Sequence, residues 1–296
     1  MCEFCPANRS DRNWADFSPS SRWITATHTL QSWQNSGRQL PVCCLPGVNL
    51  FTIIPDTLHI VDKGVALHVL GNCLFQLIQE TPEVEGPLEA RVQFVYFLLQ
   101  REYAQQNVPA RSRIPGLTMS MVCASEARNP SAYPCLSGIK AAHVRHLVAA
   151  LLPILEKFNR GSNLEAHRLQ IVRLLHEYYE ILMGHPAVLP KNKSTRLMVV
   201  VHSCICHYVF LANHYARAGK RLYLVPPKMH MWFHQGQMSR FLNPRAGWTY
   251  AGEDYVGRIA RVAKAVVKGL GPTKVAPAVM RNYLVAAEVR MHRRLA

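Results

Sequence analysis

Positions 197–216 form a run of twenty residues without a lysine, arginine, aspartate or glutamate. A stretch of that length and character has two homes, the interior of a helical domain or a lipid bilayer. It also holds His202, Ser203, His207, Asn213 and His214, which are costly in hydrocarbon. The run therefore predicts a buried core helix and no membrane span.

The middle of the chain supplies partners for such a helix. Ala66, Val69, Leu70, Cys73, Leu74 and Leu77 recur at helical spacing, as do Leu88, Val92, Val95 and Leu99. Val144, Leu147, Val148, Leu151 and Leu155 form another stripe, with Pro153 a kink or late break, and Ile171, Leu174, Leu175, Tyr178 and Leu182 a fourth. Each stripe faces a polar opposite side, which is the pattern of amphipathic helices in a packed layer. Three short apolar runs read as strands: 49–54, closed by Pro55, then 117–122, then 221–225, stopped by Pro226 and Pro227. The expected fold class is mainly α, a helical domain with a small remnant of a mixed β-sheet. Three segments follow: an irregular lead-in over 1–60, a helical domain over 61–220 and a basic helical segment over 221–296. Hydrophobic residues make up 49% of the chain and charged residues 18%, which excludes a mainly disordered polymer.

Thirty-four lysines and arginines stand against 18 acidic residues, a formal charge of +16. The excess is collected at one end. Positions 217–296 hold 15 basic and 3 acidic side chains, whereas positions 1–60 balance at four of each. A surplus gathered in one segment reads as a contact surface for a polyanion, most often nucleic acid. On a helical wheel Arg258, Arg261, Lys264 and Lys268 fall on one side, while Ile259, Val262, Ala263, Val266 and Val267 cover the other. Lys228, Arg240, Arg245 and Trp248 extend the expected DNA-facing set. The arginines at 290, 293 and 294 have a simpler explanation, since cations suit a helix C-terminus.

Nine cysteines, an odd number placed mostly in apolar stretches, read as thiols rather than a disulfide framework. The expected location is the nucleus or cytoplasm, not the secretory route. Cys2-x-x-Cys5 is half of a tetrahedral zinc site. Asp56-x-x-His59 offers a carboxylate and an imidazole that would complete it, so Cys2, Cys5, Asp56 and His59 are the candidate zinc ligands. The pairs His230/His234 and His202/Cys206 each share a helix face, but no glutamate lies between the two histidines as a metalloprotease helix needs. With 14 histidines in the chain, such pairs arise by coincidence, and the sequence ranks neither as a ligand pair. Glu253-Asp254 stands at a helix start, where acidic residues are ordinary caps; beside a basic surface such a pair also suits Mg²⁺-dependent phosphodiester chemistry. Walker, dinucleotide-binding and nucleophile-elbow motifs are absent.

The order Cys2-x-x-Cys5, Pro55-Asp56-x-x-His59, Asp62-Lys63-Gly64-Val65, a helical insert, Pro227-Lys228-x-His230 and Glu253 resembles the C-terminal part of RNase H-like DDE transposases of the CACTA and Kyakuja–Dileera–Zisupton type. The segment from Asn243 through Arg261 resembles reading frames of mobile elements. The resemblance implies a Cys-x-x-Cys at Cys2 and Cys5, a second motif at Asp56 and His59, and a catalytic glutamate at Glu253. The family's first two catalytic aspartates would lie before residue 1. It thus implies a transposase-derived DNA-binding fragment without catalysis of its own, using Mg²⁺ only as part of an intact enzyme. Two other functions fit the composition: a helical module that docks on an acidic partner or anionic lipid, and a metal-dependent nuclease using Asp56, Asp62 and Glu253.

Overall fold

The computed structural model describes residues 2, 4–35, 41–49, 52–81, 83, 85–123, 132–267 and 271–295. The chain divides into two units, Met1–Trp248 and Thr249–Ala296. The larger holds α1 (Leu30–Gln34), α2 (Ala66–Glu80), α3 (Leu88–Gln105), α4 (Met119–Val122), α5 (Ala141–Lys157), α6 (Asn163–Gly184), α7 (Lys191–Arg217) and α8 (Pro227–Met238). The smaller holds α9 (Tyr250–Val266) and α10 (Pro272–Leu295). This boundary replaces the expected ones at 60 and 220, because α8 packs into the larger unit against α7.

The charge-free run is the greater part of α7, the one helix among the described residues long and apolar enough to cross a membrane. It lies along α6 and α8. Leu197, Val200, Val201, Cys204, Ile205, Tyr208, Leu211 and Tyr215 are buried at three- and four-residue spacing, the stripe of a core helix. Its outward face is mixed, with Met198, Val199 and Phe210 exposed beside polar residues, and Arg196 pairs with Glu177 of α6 through two contacts of 2.6 and 2.7 Å. Local signals set the ends. Ser162 and Glu165 form a reciprocal capping box at the start of α6. Pro190 immediately precedes α7, and Pro227 occupies the first turn of α8. Pro153 sits inside α5, which continues to Lys157.

A π-helical stretch, Leu58–Val65, leads into α2, with its backbone out of helical geometry at Lys63 and Gly64. The kink brings Gly64 so close to α8 that a Cβ there would stand 2.5 Å from Lys228 Cδ and 2.9 Å from the His59 carbonyl oxygen. Gly71 does the same in α2 against the backbone of Cys135 and Leu136.

The expected sheet remnant does not form: the described residues contain no strand, only an isolated bridge between Asn8 and Asn13. Leu50 and Phe51 of the first expected strand lie outside the described residues, and Thr52 and Ile53 are turn and bend. In the second, Met119–Val122 is a short helix capped by the Thr118 side chain. In the third, Tyr223 adopts φ 57°, its N–H donates to Asn72 Oδ1 (2.7 Å) and its hydroxyl to Gln76 Oε1 (2.5 Å). Side chains of α2 satisfy the backbone and ring that a neighbouring strand would have engaged.

In the smaller unit α9 and α10 pack on each other, with Tyr255 and Tyr283 edge to face at 5.4 Å. Two helices alone cover little apolar surface. Val256, Val267, Met280, Leu284, Val285 and Met291 stay exposed.

Candidate metal centre

Four side chains converge between the N-terminal segment and α8. Cys2, Cys5, His230 and His234 each offer a ligand atom, and these atoms lie within 4.8 Å of one another. Cys5 Sγ is 3.3 Å from the Nε2 of both His230 and His234, and the two Nε2 atoms are 3.1 Å apart. Cys5, His230 and His234 are buried and Cys2 is partly so. It is the only group of three or more potential ligands found among the described residues.

The helix accounts for one half of the group. Pro226 and Pro227 start α8, and four-residue spacing puts His230 and His234 on one face a turn apart. Each ring is held by its far nitrogen. His230 Nδ1 meets the Trp14 carbonyl oxygen at 3.2 Å and His234 Nδ1 meets Gln237 Oε1 at 3.0 Å. Both partners can accept, and in the tautomer with the proton on Nδ1 both Nε2 lone pairs face inward. Trp23, fully buried, lies 4.2 Å from the His230 ring, and Phe4 lies 5.3 Å from that of His234.

The N-terminal segment supplies the other half. The Cys2 sulfur accepts from the Phe4 N–H at 3.3 Å, a backbone bond typical of a folded Cys-x-x-Cys loop. Phe17 and Trp23 pack on Phe233 of α8, and the Trp23 indole N–H donates to the Asp16 carbonyl at 2.9 Å. The two thiols titrate as a pair. The hydrogen bond between them pushes Cys2 down, aided by both histidines, and pushes Cys5 up, aided by burial. The group thus gives up one proton readily and holds the second.

In that tautomer the imidazole lone pairs face a thiolate in a buried space, an arrangement that a cation between them would relieve. In a tetrahedral zinc site the bond lengths set donor separations of about 3.3 Å for two nitrogens and about 3.6 Å for nitrogen and sulfur. The observed 3.1 and 3.3 Å are within a few tenths of an ångström of these. The cluster could hold a metal ion.

Half of the expected ligand set is therefore replaced. Cys2 and Cys5 are in place, but Asp56 and His59 are not in the cluster. They bond to each other, and Asp56 Oδ1 accepts from the Leu58 N–H at 2.9 Å at the start of the π-helical stretch. The sequence did carry the signal for the other two members of the cluster, the i,i+4 pair on α8. It carried nothing to link that pair to residues 225 positions away.

The expected nucleic-acid residues behave differently in the two units. In the larger, Lys228 crosses Gly64 and donates to the Lys63 carbonyl at 2.8 Å. The Trp248 indole N–H donates to Asp62 Oδ2 at 2.9 Å. Arg245 reaches the Met183 carbonyl at 3.4 Å, and Arg240 lies over the Phe241 ring. Lys228 and Trp248 are partly buried and each bonds within the fold, while Arg240 and Arg245 are exposed. Asp62, 1% exposed, also accepts from the Tyr179 hydroxyl at 2.6 Å. In the smaller unit Glu253 is in the first turn of α9, and Arg258 pairs with Asp254 one turn back. Arg261 and Lys264 are exposed. Lys268 lies outside the described residues.

Comparison of the chain with protein-family models, with curated proteins and with solved structures finds no match.

Proposed function

We propose that this chain is a zinc-stapled helical protein of transposase ancestry that binds nucleic acid through its basic C-terminal helices. The ligand chemistry supports zinc: two cysteines and two histidines are the donor set of a structural site rather than a catalytic one. The ion would tie the irregular N-terminal segment to α8.

The observation that carries nucleic-acid binding is the solvent-exposed pair Arg261 and Lys264, one turn apart on α9. They belong to a 48-residue unit with nine basic and three acidic residues. Contacts of this kind go to phosphate oxygens, so affinity is set by counterion release and carries little sequence preference.

The test is duplex DNA binding by the zinc-loaded chain across a salt series. Binding should weaken linearly on a log–log plot, and R261E/K264E should bind more weakly at every salt concentration. Absence of binding at low salt, or a flat response, would overturn the proposal. Exposed Met280, Leu284, Val285 and Met291 on α10 favour one second reading, docking on a protein partner or anionic lipid. Flotation with anionic vesicles and no DNA binding would establish the lipid form of it.

A further inference from the structure

The larger unit carries a cationic patch of its own, where α5, the end of α6 and the turn Pro244–Gly247 meet. Two arginines converge there on Met183 of α6. Arg145 of α5 directs Nη1 to the Met183 sulfur at 3.9 Å, and Arg245 of the turn directs Nη1 to the Met183 carbonyl oxygen at 3.4 Å. Arg145 also lies over the Trp248 ring, its Cζ 5.9 Å from the ring centroid. Arg245 is exposed, and Arg145 and Trp248 are partly so.

Carboxylates do not answer this pair. Elsewhere in the larger unit Arg173 is matched by Glu156, Arg196 by Glu177, and Arg160 and Arg168 by Glu165, whereas neither Arg145 nor Arg245 pairs with an acid among the described residues. Asp62, the acid that Trp248 reaches, is buried and accepts from the Trp248 indole and the Tyr179 hydroxyl. A guanidinium has five N–H groups. Arg145 spends long contacts on Met183 and, through Nε at 3.5 Å, on His146, and Arg245 spends one on Met183. Both keep donors for an acceptor from outside.

The backbone under Arg245 is held in place. Buried Asn243 donates to the carbonyls of Leu182, His185 and Pro186 around the end of α6 and accepts from the Arg245 N–H. In the same turn a Cβ at Gly247 would stand 2.8 Å from Ile54 Cγ2, so the turn sits close on its neighbours. A cation on fixed backbone loses less entropy when it engages a ligand, and the planar arginine fork matches phosphate oxygens in pairs. We propose that Arg145 and Arg245 form a second phosphate-contacting surface, on the larger unit, for the nucleic acid that the basic helices bind. The inference rests on the nucleic-acid reading above and adds the helical domain to it. These contacts go to the backbone and carry no sequence preference.

The full zinc-loaded chain is titrated with duplex DNA across a salt series. Each phosphate contact contributes about 0.9 to the log–log slope, so R145Q/R245Q should make the slope shallower by about 1.8 and weaken binding about tenfold or more near about 0.1 M salt. R145K/R245K should restore the slope, because lysine keeps the charge. R9Q/R22Q removes two exposed arginines elsewhere on the larger unit and should bind as the parent does. An equal loss in that control would reduce the effect to net charge and overturn the proposal. Unchanged slope and affinity in R145Q/R245Q, with R261E/K264E weakened, would overturn this surface and leave the basic helices standing. Weakening in R145Q/R245Q with R261E/K264E unchanged would uphold this surface and remove the helices. No binding by the parent at low salt would overturn both. Should the double variant fail to fold, R245Q alone, at the more exposed side chain, should shift the slope by about 0.9, and an unchanged slope there would overturn the proposal equally.

Discussion

Cys5 and His230 are separated by 225 positions in the chain and meet Sγ to Nε2 at 3.3 Å in its interior. His234 and Cys2 close the group. A contact of such long sequence separation carries a large loop-closure entropy, so a metal ion that bridges it would stabilise the folded chain strongly. Cys5→Ser and His234→Ala are each predicted to lose about one equivalent of zinc by elemental mass spectrometry. The Trp23 environment should become polar, seen as a red-shifted tryptophan emission. Chelation should produce the same shift in the parent protein. Full zinc content in both variants would refute the assignment.

Asn243 is fully buried and ties the chain after α8 to the end of α6. Its amide nitrogen donates to the carbonyls of Leu182, His185 and Pro186 at 3.1, 3.2 and 3.0 Å, and its oxygen accepts from the Arg245 N–H at 3.0 Å. Alanine there leaves several backbone groups unpaired in the interior. Asn243→Ala is expected to cost about 2–4 kcal/mol in urea unfolding. A loss below about 1 kcal/mol would show that water replaces these bonds.

Two glycines separate a packing role from mere helix placement. A Cβ at Gly71 would stand 2.6–2.7 Å from the backbone of Cys135 and Leu136, whereas one at Gly257 meets nothing within 4 Å. Backbone yields less readily than a side chain. Gly71→Ala should destabilise the main unfolding transition by about 2–3 kcal/mol. Gly257→Ala should leave that transition alone and favour α9 by about 0.5–1 kcal/mol, read as increased helical circular dichroism.

Acid should destabilise the fold in part through His68. Burial, assisted by the nearby Lys228 charge, depresses its pKa to about 4, and its Nδ1 is buried without a hydrogen-bond partner. The unfolded chain takes up this proton near pH 6.5 and the folded chain does not. The contribution is complete above about pH 6.5 and is lost as pH falls toward about 4, amounting to about 3 kcal/mol. His68→Leu should show a correspondingly flatter decline of stability over that window. Parallel curves for the two proteins would remove His68 from the account.

The helices were legible because their signal is local. Val69, Leu70, Cys73, Leu74 and Leu77 recur at helical spacing and are buried together in α2; Ile171, Leu174, Leu175, Tyr178 and Leu182 do so in α6. The second and third expected strands were misread because a run of five or six apolar residues has too few periods to separate strand from other buried structure. At Tyr223 the deciding facts were Asn72 and Gln76, some 150 positions earlier. Lys228, partly buried, reaches across Gly64 to the Lys63 carbonyl, a contact that depends on the kink at Lys63 and Gly64.

Spacing along the chain was enough to determine that this protein is built of amphipathic helices around an apolar one. It also placed Cys2 and Cys5 at Cys-x-x-Cys spacing and concentrated the positive charge toward the C-terminus. Each of these is a property of neighbours within a few residues, where backbone geometry converts sequence interval directly into direction. The tertiary structure alone decided that Cys2 and Cys5 meet His230 and His234 rather than Asp56 and His59. That outcome depends on which distant segments dock, and docking is settled by the packing of whole faces.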